Sequence, residues 1–252
     1  MSLARVVEAL GLPPGARVDR RVPKTLLLEH GAPTSADKRQ IQDGIEAIVW
    51  VAALKPSTAG VPVFRDDVRE YLEVAVTTVS LRPQAKAARL TELIHRAIPY
   101  PVVLVSEEDE GVSISLAHKR WSLGQSGEVV IESVERTGVF RPDRPSPMEA
   151  AFLASLALAG SPRTDLYTLY QGWIDRVSAL SASVVTGTFT LPQTAEAAAT
   201  RRGALLRHAE LQREIATLRA SARIEKQVNR LVRLNLTIQR LEAERAIAVG
   251  AL

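Results

Sequence analysis

Residues 46–54 read Glu46-Ala-Ile-Val-Trp-Val-Ala-Ala-Leu54, a β-branched run stopped by Pro56 and Ser57. Its length and its stop favour a buried strand over a helix. Downstream, Arg69 to Leu81 alternates in the pattern of a longer strand. Val102–Val105 and Val112–Leu116 flank the acidic stretch Glu107-Glu-Asp-Glu-Gly111, which predicts a hairpin, and Val129–Val134 predicts one more strand.

Helical patterns interrupt these strands. Ser35 to Ile45 predicts a short helix capped by Ser35 or Asp37. Pro83, in the favoured first-turn position, predicts the start of another helix, with Leu90, Leu93, Ile94 and Ala97 on one face. Pro99 and Pro101 end it. This alternation predicts an α+β (or α/β) domain with a mixed sheet over residues 1–147.

A proline-rich loop, Arg141 to Pro147, leads into helices at Met148–Ala159 and Asp165–Leu180, a bridge spanning 148–191. The tail, 192–252, carries the clearest periodicity. Leu211, Ile215, Leu218 and Ala222 form one run; Ile224, Val228, Leu231, Asn235, Ile238 and Leu241 form a second, slightly out of phase. The offset reads as a stutter in a coiled coil. A helix from Ala204 to Ala248 would be ~65–70 Å long, against ~40 Å for the domain before it. Such a seam needs a hairpin partner, a second copy or another protein. Asn235 on that seam would fix register or strand number, or else cap the helix or face solvent.

Composition excludes more than it selects. The absence of cysteine removes disulfides, thiolate-ligated metals and a cysteine nucleophile. His30, His95, His118 and His208 never fall at a helical metal spacing, and no metal or other cofactor is expected. An aromatic content of 4% disfavours base-stacking platforms. No phosphate-cradling glycine loop or serine-nucleophile elbow occurs, and Gly124 to Gly127 is too short and isolated to serve as one. No apolar run is long enough to span a membrane, and Glu8 falls where a signal peptide needs apolar residues. A cytoplasmic location is expected.

Of a formal net charge of +4, the segment Arg201–Arg245 contributes +6 and the remainder −2. Within it, Arg219, Arg223, Lys226, Arg230 and Arg233 recur at helical spacing as a basic stripe. Such a stripe contacts phosphates or an acidic partner, or is the solvated face of an amphipathic helix.

Several separated phrases, taken in order, resemble the bacterial domain-of-unknown-function family 4391. They are Val22-Pro-Lys24, Asp37-Lys38, Ile45–Ile48 with Trp50, Leu54 and Pro56, Ile98-Pro-Tyr-Pro101, Ala117-His-Lys119, Asp165-Leu-Tyr167, and Glu225–Arg230 with Leu234-Asn235. The resemblance implies a setting beside helicases and DNA methyltransferases in restriction-like or anti-phage loci, with such a protein as a partner. Among the polar members, Lys24, Lys38, His118 and Lys119 are candidates to converge on a phosphate.

Two function classes are expected. The first is a non-enzymatic accessory subunit that joins itself or a partner through the tail. The second is a divergent metal-dependent nuclease using Asp66, Asp67 and Glu73, with Glu70 nearby, although the acid-any-lysine phrase such a site needs is missing after Glu73. Direct nucleic-acid binding through the arginine stripe is a further alternative.

Overall fold

The computed structural model describes residues 2–122, 124 and 129–252; Gly127 lies outside the described residues. The chain forms an α+β structure with two compact units, Met1–Leu180 and Ser181–Leu252.

The first unit begins with α1 (Ser2–Ala9), β1 (Arg17–Arg21), α2 (Lys24–His30), α3 (Ser35–Gly44) and β2 (Ile45–Leu54). There follow α4 (Pro56–Ala59), the short strands β3 (Phe64–Arg65) and β4 (Glu70–Tyr71), then β5 (Val74–Leu81) and α5 (Ala87–Ala97). A hairpin of β6 (Val102–Glu108) and β7 (Gly111–Trp121), then β8 (Val129–Arg136) and α6 (Pro147–Ser155), lead to α7 (Leu166–Thr186), whose residues up to Leu180 complete it. The main sheet has the order β1-β2-β5-β6-β7-β8, while β3 and β4 pair separately. Only β5 and β6 run parallel, because α5 crosses between them; the other neighbours are antiparallel.

The predicted strand at Glu46–Leu54 is β2, paired with β5 along its whole length and buried at Ile45 and Ile48. With Ala75, Val79, Val102 and Leu104 these form one face of the sheet, against which Leu27, Ile41, Leu90, Leu93 and Ile94 of α2, α3 and α5 pack. Adjacent residues of β7 show that both faces are covered. Lys119 reaches the end of α5, whereas the neighbouring His118 meets α7.

Local readings are corrected in several places. The strand expected from Arg69 to Leu81 is two strands, interrupted at Leu72-Glu73, where the Glu73 carboxylate turns to an ion pair with Lys55 at 2.8 Å. The helix expected from Pro83 starts at Ala87, since Gln84 sits at φ +63°, outside helical space. Thr34, not Ser35 or Asp37, caps α3 by accepting the Asp37 amide at 3.1 Å. Arg17–Arg21 gives no apolar alternation and was not expected as a strand. It is an edge strand, and its pairing to β2 is broken by a register shift at Asp19, which has φ +49°. At the β6–β7 turn a Cβ on Gly111 would collide with the carbonyl of Phe140, so glycine is required there.

The second unit is a helical hairpin of α8 (Ala195–Ile224) and α9 (Val228–Gly250). No single rod spans Ala204 to Ala248. The chain reverses at Glu225–Gln227, where the Glu225 carboxylate accepts the Gln227 amide at 2.8 Å. The phase offset read as a stutter is this reversal. Leu211 and Ile215 pack on Ile238 and Leu241, with Leu218 and Ala222 alongside. Arg207–Glu244 and Arg219–Glu242 ion pairs, at 2.7 and 2.5 Å, bridge the antiparallel helices.

Candidate functional site

Three places bring together residues that the sequence singles out, and they differ in whether their polar groups are committed or open.

At the end of α5, Lys119 is buried and donates to the carbonyls of His95 and, at 3.0 Å, Ile98. These carbonyls lie in the last turn of the helix, where no amide remains to bond them. Burial lowers the Lys119 amine to about 7. The fully buried His95 beside it is lowered to about 3, by desolvation first and the Lys119 charge second. His95 Nε2 lies 3.0 Å from Ser115 Oγ, and its Nδ1 has no partner among the described residues. Lys24 performs the same task for α3, donating to the carbonyls of Gln42 at 3.1 Å and of Ile45. Both lysines close helix ends. Lys38 is exposed on α3, and His118 and Lys119 point to opposite faces of the sheet, so these four residues form no common phosphate cradle.

On the opposite face, Tyr71, His118, Tyr167 and Gln171 meet. The Tyr71 hydroxyl lies 2.5 Å from His118 Nδ1, and His118 Nε2 lies 2.8 Å from Gln171 Oε1. Gln171 donates in turn to Asp175 at 2.8 Å. The His118 and Tyr167 rings are 4.9 Å apart, with Phe64 stacked on Tyr167 and the Arg69 guanidinium over the Tyr167 ring at 5.1 Å. Thus two separated phrases, Ala117–Lys119 and Asp165–Tyr167, are joined by packing. The bonds run in a closed series, with each ring nitrogen of His118 already engaged. The arrangement fixes α7 on the sheet.

The phrases Val22–Lys24 and Ile98–Pro101 also converge. Val22, Leu26, Trp50, Ile98, Pro99 and Tyr100 line an apolar cavity of about 300 Å³ beside α2 and α5. A larger, acidic cleft of about 750 Å³ follows Glu107–Gly111. There Glu108 pairs with Arg136, and Asp109 accepts the Gln84 amide at 3.3 Å.

The nuclease candidates are dispersed. Asp66 accepts the amides of Val68 and Arg69 in an exposed turn, Asp67 is exposed, Glu70 pairs with Arg65, and Glu73 is buried against Lys55. Among the described residues, no group of three or more His, Asp or Glu side chains could hold a metal ion.

The hairpin differs from these closed clusters in leaving apolar surface open. The expected seam holds at Leu211, Ile215, Ile238 and Leu241, and in part at Leu218 and Leu231. Val228 and Asn235 do not belong to it: Val228 is 72% exposed and Asn235 faces solvent, with Leu234 taking the inward place. The inner face of α9 therefore follows Leu231, Leu234, Ile238, Leu241, Arg245 and Ala248. A second series, Val232, Leu236, Gln239, Ala243, Ala246 and Gly250, repeats the same three-and-four spacing on the other side. Val232 is 51% and Leu236 61% exposed, and Val228 and Ile247 flank them in solvent. Sequence reading missed this face because it merged both faces into one seam.

The basic stripe is divided by the turn. Arg219 is paired with Glu242, while Arg223, Lys226, Arg230 and Arg233 are exposed with no ion pair among the described residues. No helix among those residues is long and apolar enough to cross a membrane.

A family model described as a domain of unknown function (DUF4391) matches residues 10–244. No curated protein and no solved structure matches the chain.

Proposed function

The chain belongs to the DUF4391 family, and we propose that it is a non-enzymatic accessory subunit that assembles through its C-terminal hairpin. The setting proposed is the one the family resemblance implies, a bacterial DNA-directed defence complex with a helicase or methyltransferase as companion. One observation carries the assembly reading. α9 is apolar on two opposite faces, and α8 covers only one of them. Val228, Val232, Leu236 and Ile247 leave large aliphatic side chains in water on the uncovered side, which is costly unless something docks there.

The test is sedimentation of the full chain, alone and with the products of neighbouring genes, compared with a Val232→Asp/Leu236→Asp variant. The expected result is a complex that the variant loses. A chain that stays single with every companion, or a complex indifferent to the two substitutions, overturns the reading.

A second reading, direct nucleic-acid binding, is favoured by the exposed Arg223, Lys226 and Arg230 around the hairpin turn. It requires affinity for duplex DNA to fall with salt, with a slope that shrinks by about one unit per cation removed.

A further inference from the structure

We infer that the outer face of α9 receives an amphipathic helix from a different protein, one that carries carboxylates along the edge facing Arg233 and Arg240. This rests on the assembly reading and names the chemistry of the occupant.

The outer series fixes the geometry. With Leu236 and Ala243 at a, and Val232, Gln239 and Ala246 at d, positions e and g border the seam. Position e is filled by Arg233, Arg240 and Ile247, and position g by Val228, Asn235 and Glu242. These flanking residues choose the partner, because they meet their counterparts across a helical interface.

A second copy of α9 matches poorly in either direction. Antiparallel pairing places e against e, which sets Arg233 and Arg240 facing arginines. Parallel pairing places g against e of the copy, so Val228, Asn235 and Glu242 meet Arg233, Arg240 and Ile247. No arginine gains a carboxylate. The acidic flank is also already engaged: Glu242 is bound to Arg219 at 2.5 Å. Glu244, the nearest carboxylate to Arg240 at 4.0 Å, is shared with Arg207 at 2.7 Å. Among the described residues, the Arg233 side chain has a single hydrogen bond, at 3.3 Å to the Asn229 carbonyl of its own helix. The surface thus sets exposed aliphatic side chains beside two exposed arginines, Arg233 with no ion pair among the described residues and Arg240 with a 4.0 Å contact to a shared carboxylate, and an acid-flanked helix satisfies both.

An anionic bilayer would also offer negative charge, but α9 already commits its inner face to α8. A helical companion suits this geometry better.

The test uses the full chain and two labelled synthetic peptides of four heptads each. Both have leucine at a and d; one carries glutamate at e and g, the other lysine. Binding is followed by fluorescence anisotropy at physiological ionic strength. The glutamate peptide is expected to bind about tenfold or more tightly than the lysine peptide. Arg233→Glu/Arg240→Glu should reverse that order, and Leu236→Asp should weaken both. All three positions are exposed, so circular dichroism should show an unchanged hairpin. Equal binding of the two peptides, or an order that survives the charge reversal, overturns the inference and leaves assembly standing. So does self-association in light scattering, or capture by phosphatidylserine vesicles, that Leu236→Asp abolishes. If no peptide, copy or neighbouring gene product engages the face, the assembly reading fails as well.

Discussion

The side-chain nitrogen of Lys119 lies 3.0 Å from the carbonyl oxygen of Ile98, so a strand residue closes the end of the helix packed over it. A charge-bearing group has been drawn into the interior to satisfy backbone acceptors there. Lys119→Met keeps the volume and removes the donor, leaving the carbonyls of His95 and Ile98 open. We expect a loss of about 1–3 kcal/mol. Urea unfolding followed by tryptophan emission checks this, since Trp50, Trp121 and Trp173 all belong to the first unit.

The same residue sets an alkaline limb of the stability curve. Burial lowers its amine from 10.5 to about 7. Between those values the unfolded chain holds the proton and the folded one does not. Stability should therefore rise as pH is raised from 7 toward 10. Lys119→Met should flatten this limb; an unchanged slope would count against the assignment.

His95 governs the acid side. Its folded value, about 3, lies below the unfolded 6.5, so the unfolded chain binds the proton first on acidification. Stability should fall between pH 6.5 and 3, by about 1.4 kcal/mol per unit at the steepest. His95→Gln should weaken that dependence, measured by the same emission at a series of pH values.

Tyr170 ties β6 to β7 through one hydroxyl, accepting the Ala117 amide at 2.8 Å and donating to the Val102 carbonyl at 2.8 Å. Tyr170→Phe strands a buried amide and a carbonyl. A loss of about 1–3 kcal/mol is expected in urea unfolding, with faster amide hydrogen exchange at Ala117.

In the hairpin, Ile215→Ala should cost about 2–4 kcal/mol, because Ile215 is fully packed between the helices. Asn235→Ala should change stability by less than about 0.5 kcal/mol, because its side chain faces solvent. Thermal unfolding followed by helical ellipticity separates the two. A large loss at Asn235 would return it to the inner seam.

The fold was legible where periodicity reflects a single environment. Glu46–Leu54 reads as a strand because it lies between two strands of the sheet and pairs with β5 along its length, and Leu211, Ile215, Ile238 and Leu241 read as a seam because they touch one another. Arg17–Arg21 was illegible because an edge strand is defined by its partner's hydrogen bonds, not by its own apolar pattern. Asn235 was misplaced, and Leu234 missed, because α9 has two apolar faces and a single periodic series can drift from one to the other. The roles of Lys24 and Lys119 depend on which helix end lies beside them, a long-range fact that local sequence does not carry. The meeting of Tyr71, His118 and Tyr167 is of the same kind.

The three-residue reversal at Glu225–Gln227 has a kinetic consequence. Hairpin contacts link stretches adjacent in the chain, so closure entropy is small and zipping can begin at the bend. Strands β2 and β5, by contrast, must find each other across α4 and the β3–β4 pair. On dilution from denaturant, helical signal from the tail should recover earlier than tryptophan burial in the sheet unit. A molecule refolding from denaturant would then display its adhesive edge while the rest is still searching, and a companion present during that interval would shield it.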